Sequence, residues 1–248
     1  MKTAAIVIDN ITKKFEDVTA VDGFSLVIDK GELFGLLGPN GSGKTTTINM
    51  LCGLLEPTIG SVKVGGYDVR KEPGKIKELI GVSPQETAVY PHLTGKENIE
   101  LFANLHTMPS QKLRTNFDEL QQKLSLRDHV NRRAGKYSGG MMRRINLAMA
   151  LVHDPEIALL DEPTVGMDPQ SRRAVWDFIR ELKKQNKTVL LTTHYIEEAE
   201  ELCDRVGIID YGKLISLGTP QQLMNQFSAR NLEEVFLQLT GRRIREEV

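Results

Sequence analysis

The chain is poor in the residues that would staple it or tie it to metal. Its two cysteines, Cys52 and Cys203, match no metal-ligand or redox spacing, and they read as small buried hydrophobes in a reducing compartment. None of its five histidines, His92, His106, His129, His153 and His194, pairs with another at zinc-binding spacing. No stretch approaches the roughly 20 apolar residues of a membrane helix, and the apolar run Ala4 to Ile8 is too short for a signal-peptide core. If the protein works at a membrane, a partner does the spanning. Net charge is also missing: 32 basic residues against 33 acidic ones leave -1, so nothing draws the whole molecule toward nucleic acid or anionic lipid. A polyanion would have to be held locally. No internal repeat is visible at periods of about 20 to 50 residues.

What remains is an ordinary globular composition, 40% hydrophobic and 26% charged, long enough for one large α/β domain or two small ones. Short strands are expected at Ile6 to Ile8, Phe24 to Ile28 and Leu33 to Leu37. A glycine-rich turn then leads into a helix carrying Ile48, Leu51 and Leu54. From Thr94 to about Leu151 the periodicity turns helical, as at Ile99, Phe102 and Ala103 and again at Phe117, Leu120 and Leu124. Beyond it, the runs Ile157 to Leu160, Thr188 to Thr192 and Val206 to Ile209 alternate with helices, the clearest placing Val175, Phe178, Ile179 and Leu182 on one face. Strand-helix alternation argues for a mostly parallel sheet with helices on its faces. A last amphipathic helix, with Leu232, Val235, Phe236 and Leu239 on one stripe, would pack on the core or meet a partner.

Four segments carry chemistry. Gly38-Pro39-Asn40-Gly41-Ser42-Gly43-Lys44-Thr45 fits the phosphate-binding pattern G-x-x-x-x-G-K-[ST] in full, between an expected strand and an expected helix. Its glycines let backbone N–H groups turn inward on a β-phosphate, with the helix N-terminus and Thr46 behind them. Lys44 would reach the β- and γ-phosphates and Thr45 would ligate Mg²⁺. The run Ile157 to Leu160 ends in Asp161 and Glu162, which places two acids at the carboxyl end of a buried strand, where α/β sheets bind ligands. Asp161 would hold Mg²⁺ through water, and Glu162 would orient or deprotonate the water attacking the γ-phosphate. His194 ends another expected strand and could bond the γ-phosphate, although a lone histidine is more often structural. Ser138-Gly139-Gly140 opens a helix and offers an anion a hydroxyl and open N–H groups, unless it is an ordinary cap.

In this order the phosphate loop, Ser-Gly-Gly, Leu-Leu-Asp-Glu-Pro and Thr-Thr-His resemble an ATP-binding-cassette (ABC) ATPase over about Ile6 to Phe227. The resemblance implies a P-loop NTPase fold of the α/β class, with a mostly parallel central sheet, an antiparallel β subdomain and an inserted α-helical subdomain at about 87–152. The cassette would span 1–228 and a helical tail 229–248. It further implies a head-to-tail dimer in which Ser138, Gly139 and Gly140 grip the ATP held by the facing subunit's loop. Phe15 matches the aromatic that stacks on adenine, where core packing is the equal alternative. Gln85 matches a loop glutamine that touches Mg²⁺ and joins the helical subdomain, and Asp168 a loop that communicates across the dimer, though alone it reads as a helix N-cap. The catalytic set would be Glu162, His194, Lys44 and Gln85, with ATP and Mg²⁺ bound and Thr45, Gln85 and Asp161 on the metal.

Tyr137 and Met141 depart from the family pattern, standing where many relatives have leucine and glutamine. These departures, with Gly-Met-Asp-Pro-Gln-Ser-Arg-Arg and the tail Asn-Leu-Glu-Glu-Val-Phe-Leu-Gln-Leu-Thr-Gly, resemble the drug-exporter-like (daunorubicin-resistance-type) subgroup. The implied protein is the ATPase subunit of an exporter, homodimeric or heterodimeric, bound to a multi-span membrane permease, cytoplasmic and peripheral on the inner face of the cell membrane, and without a nucleic-acid partner. The alternative is a non-transport cassette acting as a nucleic-acid or ribosome-associated regulator.

Overall fold

The computed structural model describes residues 3–241. Residues 242–248 of the expected tail lie outside the described residues, as do Met1 and Lys2. The chain opens with two long strands, β1 (Ala4–Phe15) and β2 (Val18–Asp29), paired antiparallel. They run far beyond the short segments expected from sequence. Register shifts between Ile8 and Ile11 and between Ile11 and Lys13 break the alternation of inward and outward residues, so a period-2 pattern covers only part of either strand. After β3 (Leu33–Leu37) comes α1 (Lys44–Leu51), and then β4 (Ile59–Val64) and the short β5 (Tyr67–Asp68) complete a four-stranded antiparallel sheet in the order β2-β1-β4-β5. The expected helix through Leu54 is corrected here: α1 stops at Leu51, and Leu54 is 71% exposed beyond Gly53, whose positive φ turns the chain out of the helix.

The remaining elements build the central layer. They are α2 (Pro73–Leu79), β6 (Ile80–Ser83), α3 (Gly95–Leu105), α4 (Ser110–Lys123), α5 (Gly139–Leu151), β7 (Ile157–Asp161), α6 (Pro169–Lys184), β8 (Thr188–Thr193), α7 (Ile196–Leu202), β9 (Arg205–Asp210), β10 (Lys213–Gly218), α8 (Pro220–Gln226) and α9 (Leu232–Thr240). Six strands order as β10-β9-β3-β8-β7-β6, parallel except for the edge strand β10. The inner strands are apolar on both faces because both faces are covered. Phe34, Leu36, Leu159 and Leu190 pack with α1 and the antiparallel sheet. Leu33, Leu37, Leu160 and Leu191, one residue out of phase, pack against the helices on the other side.

The helices from α3 to α5 form an arm with strongly specified starts. Thr94 and Glu97 make a reciprocal capping box on α3, and Ser138 caps α5 by accepting from Met141 N. Tyr137, immediately before that cap, is buried and ties the arm together: its hydroxyl accepts from Gly95 N (3.2 Å) and lies 2.8 Å from His129 O and 3.0 Å from Arg132 O. Gly95 has to be glycine, since a Cβ there would stand 2.5 Å from that hydroxyl.

The last helix settles the choice left open by its pattern. Leu232, Val235 and Phe236 of α9 are buried in the main core, and Leu232 N donates to Glu200 of α7. Phe236→Ala is therefore expected to lower stability by about 3–5 kcal/mol in urea unfolding. A loss below about 1 kcal/mol would mean that α9 packs loosely.

Candidate active site

The site is assembled by strand register. Leu37 of β3 pairs with Thr193 of β8, Thr192 with Asp161 of β7, and Leu160 with Ser83 of β6. The four strands therefore end in step, and the segments that leave them, Gly38 to Lys44, His194, Glu162 and Gln85, emerge side by side at the carboxyl edge of the sheet. Six sequence candidates converge there: Lys44, Thr45, Gln85, Asp161, Glu162 and His194.

In the glycine-rich loop, Gly43 adopts φ 105 and Gly41 φ 77, both left-handed, and a Cβ on Gly38 would lie 2.4 Å from Ile209 O. Glycine is thus demanded by conformation at Gly43 and by close approach at Gly38. No side chain caps α1, so its first N–H groups remain available to an anion. Ser42 Oγ is buried without a hydrogen-bond partner among the described residues, as expected of a group meant for a ligand. The cleft here measures about 530 Å³ and is lined by the loop, Phe15, Thr46, Gln85 and Glu162, within the range of small-molecule sites.

Lys44 and Glu162 are each 4% exposed, and Nζ lies 3.2 Å from Oε1. Nζ also donates to Gly38 O (2.8 Å) and Pro39 O (3.0 Å). The other Glu162 oxygen, Oε2, lies 3.1 Å from His194 Nδ1 and accepts from Gln85 Nε2 at 3.4 Å. Burial pushes the Glu162 carboxyl upward, but the His194 contact and the Lys44 charge outweigh it and hold the group below the usual carboxylate range. Burial pulls Lys44 down despite Glu162, and it pushes Asp161 up despite a hydrogen bond from Thr192. Glu162 stands at φ 48, a left-handed conformation uncommon for a residue with a Cβ. Its N–H lies 3.0 Å from Thr192 Oγ1, which it shares with Thr192 O. Thr192 thus holds both acids, a role the sequence reading missed; its place just before Thr193-His194 was the available signal.

Thr45 Oγ1 donates to Gln85 Oε1 at 3.5 Å and adjoins Asp161. Hydroxyl, amide oxygen and carboxylate are hard donors that fit Mg²⁺. No group of three or more His, Cys, Asp or Glu side chains able to hold a metal occurs among the described residues, so such an ion would complete its shell with phosphate and water.

Phe15 is 43% exposed at the mouth of the cleft, with Lys13 Nζ 5.1 Å from its ring centroid. It is a surface aromatic beside the loop, not a core residue. Ser138, Gly139, Gly140 and Asp168 do not line this cleft. A Cβ on Gly140 would lie 3.8 Å from Ser171 Oγ, and Asp168 caps α6 by accepting from Gln170 N and Ser171 N. These four residues share a second surface, built from the starts of α5 and α6.

Lys44→Met strips the cation from a buried pair and should cost about 3 kcal/mol near neutral pH. Because Glu162 is depressed in the fold, the stability it contributes is present above its unfolded pKa and lost as pH falls. The gap between parent and variant should therefore narrow in melts carried from pH 7 toward pH 4. A gap independent of pH would show that Lys44 does not hold Glu162 ionised.

Comparison with known proteins adds what geometry alone does not supply. The ABC transporter family model matches residues 21–165. The chain is 42% identical to the linearmycin resistance ATP-binding protein LnrL of Bacillus subtilis (strain 168), over 94% of this chain and 73% of that protein. It is 40% identical to the daunorubicin resistance ATP-binding protein DrrA3 of Streptomyces coeruleorubidus, over 95% and 74%. Among solved structures, an ATP-binding subunit of an ABC transporter superposes with TM-score 0.88 at 26% identity, covering 95% of this chain and 99% of that one. A dimeric ATP-binding cassette in a post-hydrolysis state, bound to ADP and Pi, superposes with TM-score 0.78 at 27% identity, covering 86% and 98%. Motifs, architecture and relatives agree, and the chain belongs to the ABC transporter family of ATP-binding proteins.

Proposed function

We propose that this protein hydrolyses ATP as the nucleotide-binding subunit of an exporter, paired with a second ATPase subunit, identical or similar, and docked on a separate multi-span permease. The observation that carries the reading is Glu162, buried and ionised, with Lys44 on one oxygen and His194 on the other. A carboxylate held there can accept a proton from water as the water oxygen attacks the γ-phosphorus and ADP leaves. Lys44, His194 and the N–H groups of the loop would offset charge on the phosphate oxygens, with Phe15 against adenine. Thr45, Gln85 and Asp161 would hold Mg²⁺, which when bound supplies further charge neutralisation.

Ser138, Gly139, Gly140 and Asp168 form a surface apart from the cleft, which suits action on the nucleotide of the facing subunit. No helix among the described residues is long and apolar enough to cross a membrane; in this reading the separate permease does the spanning. The permease's cytoplasmic helix would meet the loop from Gln85 to Thr94, beside a groove lined by Leu54, Phe102, Leu105 and Met149 in which both leucines are 71% exposed. Docked in this way, the protein would sit on the inner face of the cell membrane, and the drug-resistance relatives favour export as the direction.

Glu162→Gln should retain Mg²⁺·ATP, sediment as a dimer and release phosphate at least about 100-fold more slowly than the parent. Parent-like turnover would remove Glu162 from its role. A saturated variant that stays monomeric with its permease present would remove the shared-nucleotide dimer.

A further inference from the structure

Away from the nucleotide cleft, one buried acid has no part in the chemistry above. Glu198 of α7 is 0% exposed, and its Oε1 accepts from two donors, Thr164 Oγ1 (2.8 Å) and Trp176 Nε1 (2.9 Å). Oε2 has no hydrogen-bond partner among the described residues, and burial pushes the carboxyl upward. A leucine would fill this space without the cost of hiding a carboxyl, so the contacts point to geometry as the reason for the acid.

The partners of Glu198 identify what is being positioned. Thr164, also 0% exposed, lies in the turn that leaves Glu162: Val165 N donates to Glu162 O, and Met167 N donates to Thr164 O. Thr193 also adjoins the carboxyl, and its hydroxyl accepts from Tyr195 N at 2.9 Å, which brackets His194 between two fixed neighbours. The Tyr195 ring lies 4.3 Å from that of His194 and 4.3 Å from the Arg172 guanidinium, and Arg172 N donates to Asp168 O. One carboxyl therefore joins the turn of Glu162 and Asp168 to the segment of His194.

We propose that Glu198 is a positioning residue that locks the turn after β7 to the segment after β8, and so keeps His194 Nδ1 within reach of Glu162. The proposal rests on the reading of Glu162 and His194 as the hydrolytic pair. Loss of the lock lets His194 drift relative to Glu162 while the phosphate loop, on β3, stays intact. Rate suffers and nucleotide affinity does not.

The test uses the full chain with three variants: Glu198→Leu, which removes the acceptor; Glu198→Gln, which keeps Oε1 and the side-chain volume; and Thr164→Val, which removes one donor. Glu198→Leu and Thr164→Val should lower kcat about tenfold or more, as small misplacements at a site do. KM and the affinity for a non-hydrolysable ATP analogue should stay within about twofold, Glu198→Leu combined with Thr164→Val should be no worse than the poorer of the two alone, and Glu198→Gln should fall between. Two spectroscopic readouts do not depend on turnover. Trp176 is the only tryptophan in the chain, so its single indole N–H resonance reports directly on the acceptor and should shift in Glu198→Leu. The imidazole ring resonances of His194 should move toward their positions in Glu162→Gln.

Unchanged kcat with unchanged His194 ring resonances overturns the proposal and leaves Glu198 a packing residue. Parallel losses of affinity and rate overturn it as well. If Glu198→Leu does not fold, Thr164→Val and Glu198→Gln carry the same comparison. A parent without ATPase activity would sink the hydrolase reading, while the His194 ring resonances would still decide whether Glu198 sets the contact.

Discussion

Parallel strands that end in step are the constraint on which everything else rests. β3, β8, β7 and β6 are hydrogen-bonded in a fixed register, and a slip of one residue would turn every side chain of a strand to the opposite face. Because each inner strand is buried on both sides, such a slip would also exchange the residues of two separate cores. Packing over the whole sheet thus enforces the alignment of a few groups at one edge. The fold delivers Lys44, His194, Glu162 and Gln85 to neighbouring positions without asking any loop to find its own way.

On that edge the protein concentrates charge where water is scarce. A buried lysine and a buried glutamate would each be costly alone; together, with two loop carbonyls on the ammonium and a histidine on the carboxylate, each compensates the other. Glu162 also accepts a left-handed backbone, and the double contact of its N–H with Thr192 supports it. Local strain, ion pairing and burial coincide at a single residue, which sets it apart from acids such as Asp177 that sit in solvent-exposed surface pairs.

How far the sequence alone discloses this arrangement depends on the range of each interaction. The phosphate loop is legible because its glycines and lysine are dictated by local conformation, and the inner strands because burial on both faces writes an uninterrupted apolar run. The stripe of α6 is legible for the same reason: Val175, Phe178, Ile179 and Leu182 are all buried. β1 is legible only in part, since its bulges scramble the alternation. Leu54 misled because an apolar residue at helical spacing says nothing about where the helix stops, and here Gly53 stops it. Phe15 could not be decided from spacing, since only the course of β1 puts it beside the loop. Glu198 was invisible: it stands among Glu197, Glu200 and Glu201 in one short acidic segment, and only the packing of α7 against Thr164 and Trp176 separates the buried member.

The pairing of Tyr137 with Gly95 carries a consequence for how such chains can diverge. The phenol fills the space that a side chain at position 95 would need, and its hydroxyl serves a backbone amide that a leucine could not. The two sites are therefore coupled, but a Cβ at 95 would also stand 2.7 Å from Ile145 Cδ1 and 3.2 Å from Val130 O, so a smaller residue at 137 does not by itself open position 95. A leucine at 137 would remove the one hydroxyl shared by Gly95 N, His129 O and Arg132 O, so the arm would have to hold this corner by other contacts while position 95 stayed glycine.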